Sequence, residues 1–126
     1  MAHVLVIDDD VDVRWVIRRA VQADGHTVSE AGDGDEGLQR FAEQPPDLVI
    51  TDILMPGREG IETIIELRRR RPELPILAIS GGSRNTERDE VLESADLLGA
   101  TRVLPKPFAL DQLRALVHGM LGGEPR

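Results

Sequence analysis

The chain has 126 residues, 23 acidic and 15 basic, with no cysteine and 40% hydrophobic side chains. That length suits one domain of the common size, roughly 100–150 residues, and is enough to bury a core without disulfides or a structural metal. The formal charge of −8 argues against a nucleic-acid surface or docking on anionic lipid, and the missing cysteines exclude zinc ribbons and thiol nucleophiles. No apolar run approaches the ~18 residues of a membrane span, and the start reaches Asp8 too soon for a secretory signal. The expectation is a soluble, cytoplasmic domain with no nucleic-acid and no membrane partner. Of the basic residues 14 are arginine and one is lysine, Lys106, set in Leu-Pro-Lys-Pro-Phe. Arginine is a planar fork and lysine a compact point charge, so position 106 either requires an ammonium or holds a chance surface lysine.

His3 to Ile7 is a short, β-branched apolar run that stops at Asp8-Asp9-Asp10, as suits a strand buried on both faces of a parallel sheet. Val13, Val16, Ile17, Ala20 and Val21 then recur at helical spacing, with Gly25 as a stop. Thr27-Val28-Ser29 is a weaker strand. Asp33 or Asp35 caps a helix whose buried side is Leu38, Phe41 and Ala42, ended by Pro45-Pro46. Asp47 to Thr51 is a strand ending at Asp52. Ile61, Ile64, Ile65 and Leu67 mark a helix that closes in Arg68 to Arg71, where cations favour the dipole and the last carbonyls. Pro75 to Ile79 is a strand ending at Ser80, before Gly81-Gly82. Val91, Leu92, Ala95 and Leu98 lie on a helix stopped by Gly99. Thr101 to Leu104 is a last strand before Pro105-Lys106-Pro107. Leu110, Leu113, Leu116, Val117 and Met120 form the closing helix, ended by Gly122-Gly123. Five strand–helix units in strict alternation imply an α/β fold, a doubly wound parallel sheet with right-handed crossovers and helices on both faces. The pattern makes one domain of residues 1–121, followed by a short tail, 122–126.

In open α/β sheets ligands bind beyond the carboxyl ends of the strands. Those ends here carry Asp8-Asp9-Asp10, Asp52, Ser80 and Lys106. Crowded carboxylates repel and raise one another's pKa values, which a hard divalent cation relieves. Oxygen-only ligands suit Mg2+, and a lysine with a hydroxyl suits the oxygens of a phosphoryl group beside it. The chemistry indicated is phosphoryl transfer to a carboxylate. Singly, each piece has a plainer reading. The acidic triplet equally caps the next helix, Asp52 equally serves a turn, and Ser80 equally belongs to a glycine loop. Their joint appearance at successive strand ends, with the sole lysine, favours the site.

These residues resemble the receiver domains of bacterial two-component response regulators. The likeness rests on Val-Ile-Asp8-Asp9-Asp10, Asp52-Ile-Leu-Met-Pro56-Gly57, Ala-Ile-Ser80 and Lys106-Pro107-Phe108, and it covers essentially the whole chain. It implies a flavodoxin-like fold, five parallel strands in order 2-1-3-4-5 with five helices. It further implies that Asp52 accepts a phosphoryl group from the phosphohistidine of a sensor histidine kinase or histidine phosphotransfer protein. Asp8, Asp9, Asp52 and the backbone carbonyl of Leu54 would hold Mg2+, while Lys106 and Ser80 would meet the phosphoryl oxygens. By the same resemblance the Lys106–Pro107 peptide is cis. The chain would catalyse only its own phosphorylation and dephosphorylation, and would signal to a protein target through the face of the last two helices. Almost nothing follows residue 121, which suits a stand-alone, chemotaxis-Y-like receiver or a relay member, although a piece of a longer protein would read the same.

The chain departs from the family pattern in three places. Val103 stands three residues before the lysine, where an aromatic switch residue is usual. Leu54 and Gly82, at positions that tune phosphoryl lifetime, offer no polar side chain to orient water, so slow autodephosphorylation is expected. The polar stretch from Gly81 to Arg88 reads either as a partner-binding loop or as a solvated entry to the next helix. His3, His26 and His118 lack ligand spacing and read as structural or exposed. Two other functions compete. A haloacid-dehalogenase-type phosphatase would use Asp8 as nucleophile and Asp10 as general acid, but it leaves Asp52 unexplained and has only Asp111 for its last acidic motif. A receiver-like binding module that is never phosphorylated would leave the complete acid–serine–lysine set without a task.

Overall fold

The computed structural model describes residues 2–53, 60–80 and 101–122. The five strands are β1 (His3–Ile7), β2 (Thr27–Ala31), β3 (Leu48–Asp52), β4 (Ile76–Ser80) and β5 (Arg102–Pro105). They form one parallel sheet in the order β2-β1-β3-β4-β5, the order the resemblance implies. Four helices lie among the described residues: α1 (Val11–Ala23), α2 (Gly34–Glu43), α3 (Gly60–Arg70) and α4 (Leu110–Met120). The helix expected around Val91 to Leu98 lies outside them.

Strand β1 shows why its run is apolar throughout. Val4 and Val6 point to one face, against Ile17, Ala20 and Val21 of α1 and Leu113 and Val117 of α4. Leu5 and Ile7 point to the other, against Leu38 and Phe41 of α2 and Ile64 and Leu67 of α3. With side chains alternating at period two and both faces covered, no position after His3, the partly exposed first residue, is left for a polar side chain. On α2, Gly34 and Gly37 are buried and Ala42 is exposed, which corrects the expected buried side. Gly37 is the close approach that requires it, because a Cβ there would sit 2.9 Å from Ile7 Cγ1. Val16, Ile65 and Leu110 are likewise exposed rather than buried. On α3 the core takes Ile64 and Leu67 and also Thr63, so the helix turns Ile65 outward.

The ends of the helices follow the expected signals. Asp33 caps α2 by accepting from the Glu36 amide at 2.8 Å. Gly25, with φ of +94°, takes the left-handed turn that leads out of α1. Of the four arginines closing α3, Arg68 donates to the carbonyls of Pro72 and Leu74, both at 2.7 Å, and Arg71 donates to that of Pro46 at 2.7 Å. His3 holds the hydroxyls of Thr27 and Ser29 at 2.8 Å each, and His26 accepts from the Ala2 amide. These two histidines are structural. Among the described residues, no helix is long and apolar enough to cross a membrane.

Candidate functional site

Parallel register decides which residues meet. Ile7 pairs with Thr51, so Asp8 and Asp52 emerge side by side from the two central strands. Asp52 pairs with Ile79 and Ser80 with Pro105, which brings the end of β4 and Lys106 to the same edge. All the strand pairings are parallel, so these carboxyl ends open in one direction.

The acidic triplet divides its labour. Asp10 is the N-cap of α1, its Oδ1 accepting from the amides of Asp12 at 2.9 Å and Val13 at 3.3 Å. Its plainer reading therefore holds, and a carboxylate so engaged is not a free general acid. Asp8 is buried, at 1% exposure, and Asp9 is exposed. Asp8, Asp9 and Asp52 each turn one carboxylate oxygen to a common point, all within 4.8 Å of one another. Lys106 extends its ammonium to Asp52 Oδ2 at 3.4 Å and lies 3.7 Å from Asp8 Oδ2. The Lys106–Pro107 peptide is cis.

Asp8 is the most constrained of the three. Its amide donates to the Ala31 carbonyl at 3.0 Å, and its Oδ1 accepts from the Asp10 amide at 2.9 Å. The other oxygen, Oδ2, is buried and among the described residues accepts no hydrogen bond. Burial pushes the Asp8 carboxyl up to about 6 from 3.8, and the charges of Asp52 and Asp9 add to the rise; the Asp10 amide and Lys106 oppose it. Among the described residues three carboxylates face one ammonium, which gives the pocket excess negative charge and an orphaned buried acceptor. Both features fit a hard divalent cation with oxygen ligands, such as Mg2+.

Ser80 stands at the end of β4, beside this edge by register. Its side chain, and Leu54, Gly82 and the loop that follows, lie outside the described residues. Val103 is half-buried and packs against the core cluster that includes α2 and α3.

Arg14 was not singled out by the sequence reading. Its guanidinium donates from Nη1 to the Asp8 carbonyl at 2.7 Å and from Nε to Glu30 at 3.0 Å. The available signal was its position at i, i+3, i+7 with Ile17 and Val21, an arginine on the stripe that faces the sheet.

A five-stranded sheet of this order, with an acidic pocket and a lysine at its carboxyl edge, defines a phosphoacceptor-type α/β domain. The chain matches the response regulator receiver domain family over residues 4–118 and belongs to it. Response regulator MprA of Mycobacterium ulcerans (strain Agy99) is 39% identical over 119 residues, which are 94% of this chain and 50% of that protein. The chain thus spans about half the length of the curated relatives it matches. Among solved structures, the receiver domain of NtrX from Brucella abortus superposes with a TM-score of 0.87 at 32% identity, covering 96% of this chain and 99% of that one. The chemotaxis protein CheY4 of Vibrio cholerae gives 0.83 at 29% identity, covering 95% and 98%. Family membership and the capping role of Asp10 both stand against the phosphatase alternative.

Proposed function

We propose that Asp52 is the phosphoacceptor of this receiver, and that its phosphorylation switches a protein contact or passes the phosphate along a relay. The observation that carries this reading is the buried Asp52 carboxylate, 3.4 Å from the only lysine and converging with Asp8 and Asp9. An Asp52 oxygen attacks the phosphorus of a phosphohistidine on a sensor kinase or phosphotransfer protein. As the O–P bond forms, the P–N bond breaks, and the electron pair returns to the imidazole. Such a transfer needs positioning and charge neutralisation more than covalent help. Asp8, Asp9, Asp52 and the Leu54 carbonyl would hold Mg2+, which when bound supplies countercharge to the phosphoryl oxygens. Lys106 supplies the other countercharge, and the Ser80 hydroxyl donates to a remaining oxygen.

The phosphate adds roughly two negative charges at Asp52, a local event able to bias a two-state rearrangement. The readout is a protein target on the face of the last two helices. With Val103 in place of an aromatic, any rearrangement proceeds without a swinging ring at that position. Leu54 and Gly82, at the sequence positions that tune phosphoryl lifetime in the family, offer no polar side chain to orient water, and the acyl phosphate is long-lived. The domain is an acceptor acting in the cytoplasm, and its only catalysis is of its own phosphorylation and dephosphorylation.

Intact mass after incubation with a small-molecule phosphodonor, with and without Mg2+, tests the assignment. One base-labile phosphate that requires the metal and disappears in Asp52→Ala is the expected result. Modification that persists in Asp52→Ala but is lost in Asp8→Ala would overturn it in favour of a phosphatase-type nucleophile.

A further inference from the structure

Among the described residues, every polar group of Asp8 except the carboxylate oxygen Oδ2 is held by a hydrogen bond. Its amide goes to Ala31, its Oδ1 to the Asp10 amide, and its carbonyl to the Arg14 guanidinium at 2.7 Å. The last of these is the costly one. Arg14 lies on the sheet-facing side of α1 with its side chain 18% exposed, where an arginine is rarely placed unless it is paired. Its charge is met by Glu30 of β2 at 3.0 Å, and Arg18 Nε stands 3.2 Å from the second oxygen of the same glutamate. Glu30 thus offers one carboxylate oxygen to each of the two guanidinium groups.

A cation that served only to neutralise the acidic pocket would address a carboxylate, as Lys106 does. Arg14 instead addresses a carbonyl, and it spends the other edge of its fork on Glu30. That carbonyl belongs to the peptide joining Asp8 to Asp9, so its orientation sets how the two carboxylates diverge from the strand end.

We infer that Arg14 is a positioning residue for the cation ligands: forked between the Asp8 carbonyl and Glu30, it fixes the Asp8–Asp9 peptide and so the place where the two carboxylates meet a divalent ion. This rests on the proposed Mg2+ site. It assigns Arg14 no contact with the ion or the phosphoryl group. The planar fork is essential, because a lysine ammonium at the end of a flexible stem does not hold two acceptors in fixed directions.

The test is calorimetric titration of the purified chain with MgCl2, comparing wild type, Arg14→Met and Arg14→Lys, with circular dichroism to verify folding. Partners that orient metal ligands typically carry about 10–100-fold in affinity. Arg14→Met is expected to weaken Mg2+ binding about tenfold, at the lower end of that range. Simple electrostatics predicts the reverse, since removing a nearby cation favours binding of another. Arg14→Lys retains the charge and the stem and is expected to weaken binding as well. Unchanged or tighter binding in Arg14→Met overturns the proposal, as does full restoration by Arg14→Lys. If wild type binds no Mg2+, the metal reading fails, and this inference fails with it; if wild type binds and the variants match it, this inference alone fails.

Discussion

Two carboxylate sites in this molecule use the same chemistry to opposite ends. On the outer side of α3, Glu66 meets Arg69 at 2.6 Å and Arg70 at 2.7 Å, and hydrogen bonds from Arg69 and then Arg70 hold its carboxyl down to about 2. At the carboxyl edge of β1 and β3, three carboxylates share Lys106, and burial lifts Asp8 to about 6. One acid is overmatched by cations in solvent and is a finished interaction. The other is undermatched in the interior and retains an oxygen with no hydrogen bond. The difference in sign separates a surface ion pair from a binding site. A buried carboxylate left undermatched is a place where a cation from outside the fold gains most by binding.

Removing the buried charge breaks the contrast most sharply. Asp8 binds its proton more tightly in the folded chain, at about 6 against 3.8. Its favourable contribution to stability is therefore full below about pH 4 and is lost as pH rises through about 6. The size of the shift corresponds to about 3 kcal/mol at neutral pH. In the absence of divalent ions, Asp8→Asn should be more stable than wild type at pH 7.5, by roughly 10 °C in melting temperature. The gap should close by pH 4, and adding Mg2+ should reverse the order by stabilising wild type alone. A wild-type minus Asp8→Asn difference that stays flat between pH 4 and 7.5 would show that the carboxyl is not desolvated as described.

A smaller change tests whether neighbouring acids are really distinct. Asp10 adjoins the ligand pair in sequence but spends its side chain on the first turn of α1. Asp10→Ala should cost about 1 kcal/mol of stability, the ordinary value of an N-cap. It should leave Mg2+ affinity nearly unchanged, because the Asp10 amide that holds Asp8 Oδ1 survives the substitution. Denaturant unfolding and metal titration of the one variant decide it. A large loss of metal affinity with unchanged stability would move Asp10 into the site.

That pair of results also marks what was legible in the residues alone. The strand ends were, because strict alternation forces parallel strands, and parallel strands in register bring Asp8, Asp52, Ser80 and Lys106 to one edge. The division of the triplet was not. Aspartate is favoured both at an N-cap and around a hard cation, and only geometry tells the roles apart. Arg14 escaped notice for a related reason: a search for apolar periodicity skips a charged residue on the buried stripe, and its partner Glu30 is 16 residues away on another element. Val16 and Leu110 read as core because they keep helical spacing, yet they line an open groove between α1 and the segment from Lys106 to Leu110. Periodicity finds the apolar side of a helix but not how far the neighbouring element covers it.

The mildest change completes the comparison from the other end. Glu66 is held by two arginines that are themselves in solvent, and an exposed ion pair gains little net free energy because water and salt compete for both partners. The depressed carboxyl means the bonus from this group is present above the ordinary glutamate value and lost only as pH falls through about 2. Glu66→Gln should therefore leave the neutral-pH melting temperature almost where it was. The small remaining effect should shrink in 1 M salt, where screening acts over about 3 Å. Asp8→Asn should keep most of its effect in the same salt, since a buried charge is screened far less. A salt-insensitive loss in Glu66→Gln that matches the Asp8→Asn change in size would erase the distinction between a finished and an unfinished carboxylate.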